Sequence, residues 1–213
     1  MAPFDLIIFD CDGVLVDSEL ISNRILAGML CDLGLNVTLQ DMFERFVGHS
    51  MAHCLALIRE GLGGEVPAGF EADYHARTDL ALAELQSVPG VVEALERLAL
   101  PCCVASNGEP DKIRRSLGRT GLLERFEGRL FSAAAVARGK PAPDLFLHAA
   151  ATMGAAPERC VVVEDTSVGV TAGKAAGMTV FGYAGRTPAA RLHAAGANVV
   201  FSDMTELPGL IAR

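Results

Sequence analysis

A chain of 213 residues, 51% of them apolar, is long enough for one large domain or for a core that carries a small insert. Its net charge of −8 argues against general binding to nucleic acid or to an anionic membrane surface. No uncharged run approaches the ~20 residues of a membrane span. The N-terminus enters a strand pattern without a basic segment and cleavage site, so the expectation is a cytoplasmic protein with no membrane partner.

The chain opens on Leu6-Ile7-Ile8-Phe9, a short apolar run closed by Asp10-Cys11-Asp12-Gly13. Such a run reads as a buried parallel strand, and in open α/β sheets chemistry sits at the carboxyl ends of the strands. Asp10 and Asp12 are therefore expected at the mouth of a sheet, with Gly13 letting the backbone turn close to an ion or ligand. A strand-end turn capped by Asp17 or Ser18 is the blander reading, and it leaves two acids at a buried strand end without a purpose.

Residues 20–33 then carry apolar positions at helical spacing (Ile21, Ile25, Leu26, Met29, Leu30, Leu33), and Gly34 supplies a stop. Further helices are predicted from Asp41 to Phe46, Met51 to Glu60 and Phe70 to Gln86, with no strand pattern between about 17 and 86. The pattern thus predicts a helical cap over 17–86 inserted into a core made of 1–16 and 87–213, with hinges near 15–18 and 84–89. From Val88 onward helices and strands alternate. The helices are expected over Val91–Leu100, Lys112–Gly118, Pro143–Met153 and Val168–Ala176, the last capped by Gly177. The strands are expected over Cys102–Ala105, Arg129–Ser132, Val161–Val163, Thr179–Gly182 and Asn198–Phe201. That rhythm implies an α/β fold with a doubly wound parallel sheet, joined by right-handed crossovers, beside the small helical cap domain.

Three more clusters lie just beyond predicted strands. Ser106-Asn107-Gly108 offers a hydroxyl and loop amides that can hold phosphoryl oxygens, though Ser-Asn-Gly is also an ordinary turn. Lys140 stands between Gly139 and Pro141, pinned near the backbone rather than free on a helix face. Glu164-Asp165 closes an apolar run and faces a small-residue helix, an arrangement that suits oxygen ligation of Mg²⁺ as well as a helix N-cap at Asp165 or Thr166. The six cysteines show no paired metal-ligand spacing. Cys102, Cys103 and Cys160 fall in strand-like runs as packing thiols, and Cys11 reads as a spacer between acids.

In order and type these clusters resemble the four motifs of the haloacid-dehalogenase superfamily, and the helical insert resembles the cap of its phosphoglycolate phosphatase and β-phosphoglucomutase branch. The 6-phosphogluconate phosphatase type looks most similar, through residues 101–108 and 128–132. The resemblance implies that Asp10 attacks phosphorus to form an aspartyl-phosphate, with Asp12 as acid and base. It implies Mg²⁺ held by Asp10, the Asp12 carbonyl and Asp165, with Glu164 helping, and a phosphoryl group held by Ser106, the Asn107 amide and Lys140. Dehalogenases of the superfamily lack an acid at the second position, so Asp12 favours phosphoryl transfer. The expected partner is a small phosphorylated metabolite, a sugar phosphate or sugar-acid phosphate such as 6-phosphogluconate.

The cap loop residues His49, Ser50 and His53 are candidates for touching that substrate, and Arg45 and Arg77 read as anion contacts or as exposed helix charges. Two alternatives stand. A β-phosphoglucomutase-type enzyme is disfavoured because Ser22 and Met51 occupy the positions of its cap histidine and arginine. A non-catalytic phosphometabolite-binding protein would not need both Asp10 and Asp12. A mean hydropathy of +0.34 suits either a monomer or a homodimer.

Overall fold

The computed structural model describes residues 4–46 and 51–212. They fold as two compact units, Met1–Asp17 with Gln86–Arg213, and Ser18–Leu85. The first strand, β1 (Leu6–Phe9), is followed by a loop of the first unit and then by the second unit. This unit holds α1 (Ser18–Asp32), α2 (Leu39–Arg45), α3 (Met51–Leu62), α4 (Phe70–Ala81) and a 3-10 turn over Leu82–Glu84. The chain then returns to the first unit through α5 (Val91–Arg97), β2 (Cys102–Ser106), α6 (Pro110–Arg119), α7 (Leu123–Phe126) and β3 (Leu130–Ser132). It continues with α8 (Asp144–Thr152), β4 (Cys160–Glu164), α9 (Ser167–Ala175), β5 (Thr179–Tyr183), α10 (Ala189–Ala194), β6 (Val199–Phe201) and α11 (Leu207–Ile211).

All six strands pair in parallel, in the order β3-β2-β1-β4-β5-β6. β1 pairs Ile7 with Cys102 on one side and with Val161 on the other, so the first strand becomes the centre of the sheet. Every residue of β1, β2 and β4 is buried, which is why these segments read as continuous apolar runs rather than alternating ones. On one face Leu6, Ile8, Cys103 and Val162 pack with Leu145, Phe146 and Ala149 of α8 and Val170 and Ala172 of α9. Phe9, one position out of phase, meets Phe126 edge-on with ring centroids 6.2 Å apart. Each fully buried side chain of this size contributes about 1.5–3 kcal/mol relative to exposure.

Strand order reverses around β1, with β2 and β3 to one side and β4 to β6 to the other. A crevice at the carboxyl ends of β1, β2 and β4 is where such a topology places ligands. The second unit has its own core of Leu26, Leu30, Met42, Ile58 and Phe70. Its α2 begins in a capping box, with Thr38 and Asp41 exchanging backbone-to-side-chain bonds.

Several element ends differ from the sequence expectation, each for a physical reason. The helix from Phe70 stops at Ala81 rather than Gln86, because residues 86–88 pair with residues 15–17. Asp17 N–H donates to the Gln86 carbonyl and Val88 N–H to the Leu15 carbonyl, both at 3.0 Å. The helix from Val91 stops at Arg97, since Pro101 disfavours helical backbone just before it and Leu98 is already extended. The helix expected from Lys112 starts earlier, with Pro110 in its first turn. The short α7, α10 and α11 carried no sequence signal, because four to six residues hold too little periodicity. No helix among the described residues is long and apolar enough to cross a membrane.

Candidate active site

β1 ends in a backbone bond from Asp10 N–H to the Val163 carbonyl (3.0 Å), which seats Asp10 beside the end of β4. The loop that follows must turn sharply. Gly13 adopts φ +78°, and a Cβ there would lie 2.1 Å from Asp165 Oδ2, so only glycine lets the loop pass this carboxylate. β4 delivers Glu164 and Asp165, each 1% exposed. One carboxylate oxygen from each of Asp10, Glu164 and Asp165 lies within 4.8 Å of the others.

Lys140 reaches this cluster from the loop after β3. Its ammonium donates to Asp10 Oδ1 and to Glu164 Oε1, both at 2.7 Å, and lies 4.7 Å from the centre of the Phe146 ring. The other Glu164 oxygen accepts from Thr166 N–H (3.0 Å) and Thr166 Oγ1 (2.9 Å). Thr166 Oγ1 in turn caps α9 by accepting from Gly169 N–H. Gly169 leaves room for all of this, because a Cβ there would fall 1.7 Å from Glu164 Oε1. Glu164 is thereby a fixed anchor for Lys140.

Charge follows from this packing. Burial pushes the Asp10 carboxyl up to about 7; Lys140 opposes the rise, while Glu164 and Asp12 add to it. Burial also works against the Lys140 ammonium, yet Asp10 and Glu164 outweigh it and hold its pKa above the ordinary lysine value. Burial first, then the charges of Asp12 and Asp10, pushes the Cys11 thiol up, so Cys11 is an inert spacer rather than a thiolate. With three buried carboxylates and one ammonium, the ionised cluster carries an excess of two negative charges. A hard, divalent, oxygen-seeking cation fits that donor set, and Gly13 holds the cradle open at Asp165.

The end of β2 borders the same crevice. Ser106 is buried; its Oγ accepts from Gly108 N–H at 3.1 Å, which leaves its own O–H proton to donate. The side chain of Asn107 is occupied otherwise than as an anion contact. Its Oδ1 accepts from Lys140 N–H (2.9 Å) and its Nδ2 donates to the Lys140 carbonyl (3.1 Å), clasping the Lys140 backbone from both sides. Ser132, at the end of β3, donates to the Gly108 carbonyl at 2.7 Å and braces the same loop. Asp12 Oδ2 accepts from Lys112 Nζ of α6 at 2.9 Å.

The first unit therefore brings together Asp10, Asp12, Ser106, Asn107, Lys140, Glu164 and Asp165. Sequence reasoning missed Lys112, Thr166 as the Glu164 brace, and Ser132. Of these, Lys112 carried a signal: a cation in the first turn of a helix opposes the macrodipole and calls for a compensating anion. His49 and Ser50 lie outside the described residues. His53 is exposed on α3, and Ser22 and Met51 are part-buried in the second unit. Arg77 pairs with Asp73 at 2.9 Å and Arg45 lies over the Phe46 ring at 5.8 Å, so both have partners within their own unit.

A family model described as haloacid dehalogenase-like hydrolase matches residues 4–177. The chain is 34% identical over 184 residues to the 6-phosphogluconate phosphatase of Escherichia coli, covering 85% of this chain and 83% of the relative. Among solved structures, a haloacid dehalogenase-like protein of unknown function from Agrobacterium tumefaciens superimposes with a TM-score of 0.94 at 39% identity, covering 98% of each chain. A haloacid dehalogenase family hydrolase from Deinococcus radiodurans, solved with bound phosphate and sodium, gives a TM-score of 0.90 at 34% identity, covering 100% of this chain and 96% of its own. The fold, the strand-end acids with their lysine, and these likenesses agree: the chain belongs to the haloacid dehalogenase-like hydrolases.

Proposed function

We propose that this phosphoric monoester hydrolase releases phosphate from a small phosphorylated metabolite, a sugar phosphate or a sugar-acid phosphate such as 6-phosphogluconate, through an aspartyl-phosphate on Asp10. The observation that carries the reading is the buried cluster in which Lys140 sits 2.7 Å from both Asp10 and Glu164 with Asp165 beside them. A structural ion pair needs no third carboxylate, whereas phosphoryl transfer needs a cation beside the nucleophile and acids that can hold a metal ion. The name of the Escherichia coli relative supports the substrate class.

Asp10, the Asp12 carbonyl and Asp165 would hold Mg²⁺, with Glu164 behind them. When bound, the ion neutralises charge on the phosphoryl oxygens and on the nucleophile. Lys140 draws Asp10 into place and adds a positive charge beside the transferring group. The Ser106 hydroxyl and the Asn107 backbone amide orient phosphoryl oxygens, while the Asn107 side chain keeps the Lys140 loop rigid. Asp10 forms a bond to phosphorus as the ester P–O bond breaks, and the Asp12 proton moves to the departing oxygen to give the free alcohol. Asp12 then takes a proton from water as the water oxygen bonds to phosphorus and the Asp10–phosphorus bond breaks.

The test is phosphate release from a panel containing 6-phosphogluconate, glucose 6-phosphate, fructose 1-phosphate and β-glucose 1-phosphate, with and without Mg²⁺. Metal-dependent release that disappears in Asp10→Asn is expected. Conversion of β-glucose 1-phosphate to glucose 6-phosphate without free phosphate would instead make the chain a mutase. Ester binding without turnover would make it a binding protein.

A further inference from the structure

We infer that Lys112 is a positioning residue for the acid–base step, holding the Asp12 carboxyl group in place. The inference rests on the phosphatase reading and deepens it. Three observations carry it. Lys112 Nζ donates to Asp12 Oδ2 at 2.9 Å across 100 residues of sequence, a side-chain bond between α6 and the loop after β1. Lys112 lies in the first turn of α6, where the helix macrodipole disfavours a cation. The adjacent Ile113 is 2% exposed and locks the helix against the core, so the placement of Lys112 is set by packing.

The chemistry follows from what an ammonium can do. It donates hydrogen bonds and accepts none. The Asp12 oxygen that it holds therefore acts as an acceptor, and the bond ties the carboxyl group to α6. Loss of Lys112 removes that tie, so fewer encounters place the acid against the leaving oxygen. Proton transfer depends on such geometry, and a well-placed acid is typically worth ~10²–10⁴-fold in rate.

Leaving-group chemistry separates this role from a structural one. An alkoxide needs a proton to depart, while p-nitrophenolate leaves as the anion. The measured quantity is kcat/KM, which reports the steps up to transfer onto Asp10, for p-nitrophenyl phosphate and for the alkyl ester of the panel that wild type hydrolyses fastest. Lys112→Met is expected to lower kcat/KM for the alkyl ester by about tenfold or more, and for p-nitrophenyl phosphate by less than about twofold. In an Asp12→Asn background, where no acid remains to be placed, Lys112→Met should cost the alkyl ester less than about a further twofold. An equal loss on both esters would overturn the inference, since a damaged fold acts on both alike. A further large loss in the Asp12→Asn background would also overturn it, because Lys112 would then touch the substrate directly. Wild-type protein that hydrolyses neither ester with Mg²⁺ would remove the phosphatase reading and this inference with it.

Discussion

Lys140 answers to two carboxylates at once, and that dual duty has consequences that can be measured. Removing the ammonium leaves Asp10 and Glu164 buried without the counter-charge they share. Breaking a buried ion pair from one side typically costs about 3–5 kcal/mol. Lys140→Ala is therefore expected to lower the unfolding midpoint markedly in metal-free buffer, and to lower kcat by at least ~10²-fold through loss of charge at the transferring group. An unchanged midpoint would mean that the two carboxylates do not depend on Lys140.

Asp10 gives a prediction with a definite sign. Its folded pKa of about 7 lies above the ordinary value of 3.8, with burial as the main cause. Between those values the folded metal-free protein holds a proton that the unfolded chain has released. Stability therefore falls as pH rises through that window. Asp10→Asn should raise the midpoint of metal-free protein at pH 7, by roughly 2–4 °C for each kcal/mol recovered, and the gain should fade by pH 4. Calorimetry at both pH values checks this. A gain that is equal at both, or absent at pH 7, would contradict it.

Most of the residues that meet in the crevice were legible because of where they stand in the sequence. Asp10, Ser106 and Glu164 each terminate an apolar run, and such ends converge in a parallel sheet. Lys140 was legible only as part of the set. The Asn107 side-chain clasp was not, because its partner lies 33 residues away, and Lys112 carried only its place in the first turn of a helix, its partner lying 100 residues away.

At the scale of elements, α9 carries two glycines that do different work. Gly169 leaves space for the Glu164 carboxylate, and Gly173 lets the helix approach Val180, whose Cγ2 would lie 2.7 Å from an added Cβ. In an exposed helix, Gly→Ala stabilises by about 0.8–1 kcal/mol through propensity; here packing opposes it. Gly173→Ala is expected to destabilise by about 1–3 kcal/mol with kcat nearly intact. Gly169→Ala should instead displace Glu164, loosen Lys140 and lower kcat at least ~10-fold. Denaturant melts and steady-state kinetics on both variants separate the two effects, and a reversed pattern would contradict the assignment. Helix interiors were readable from spacing, but ends were not. The stop at Ala81 depends on the 15–17 and 86–88 pairing, which no local window contains.

For the whole molecule, the alternation of helices and strands after Val88 was enough to imply a parallel doubly wound sheet. The position of β1 at its centre depends on pairings made with β2 and β4, more than 90 residues away. The second unit buries Leu30, Met42 and Ile58 completely within its own core. Leu30→Ala is expected to cost about 2–5 kcal/mol and to raise amide exchange in residues 18–85 while β1, β2 and β4 keep their protection. Equal loss of protection in both units would show that they unfold as one.

The proposed mechanism requires Asp10 to become covalently phosphorylated during turnover. The most direct measurement is acid quench of the enzyme while it turns over a phosphate ester with Mg²⁺, followed by mass analysis of the peptide that contains Asp10. The expected result is one added phosphoryl group on that peptide, lost on mild alkaline treatment and absent in Asp10→Asn. Steady phosphate release with no phosphoryl group on Asp10 at any quench time would contradict it, and would assign the attack on phosphorus to water.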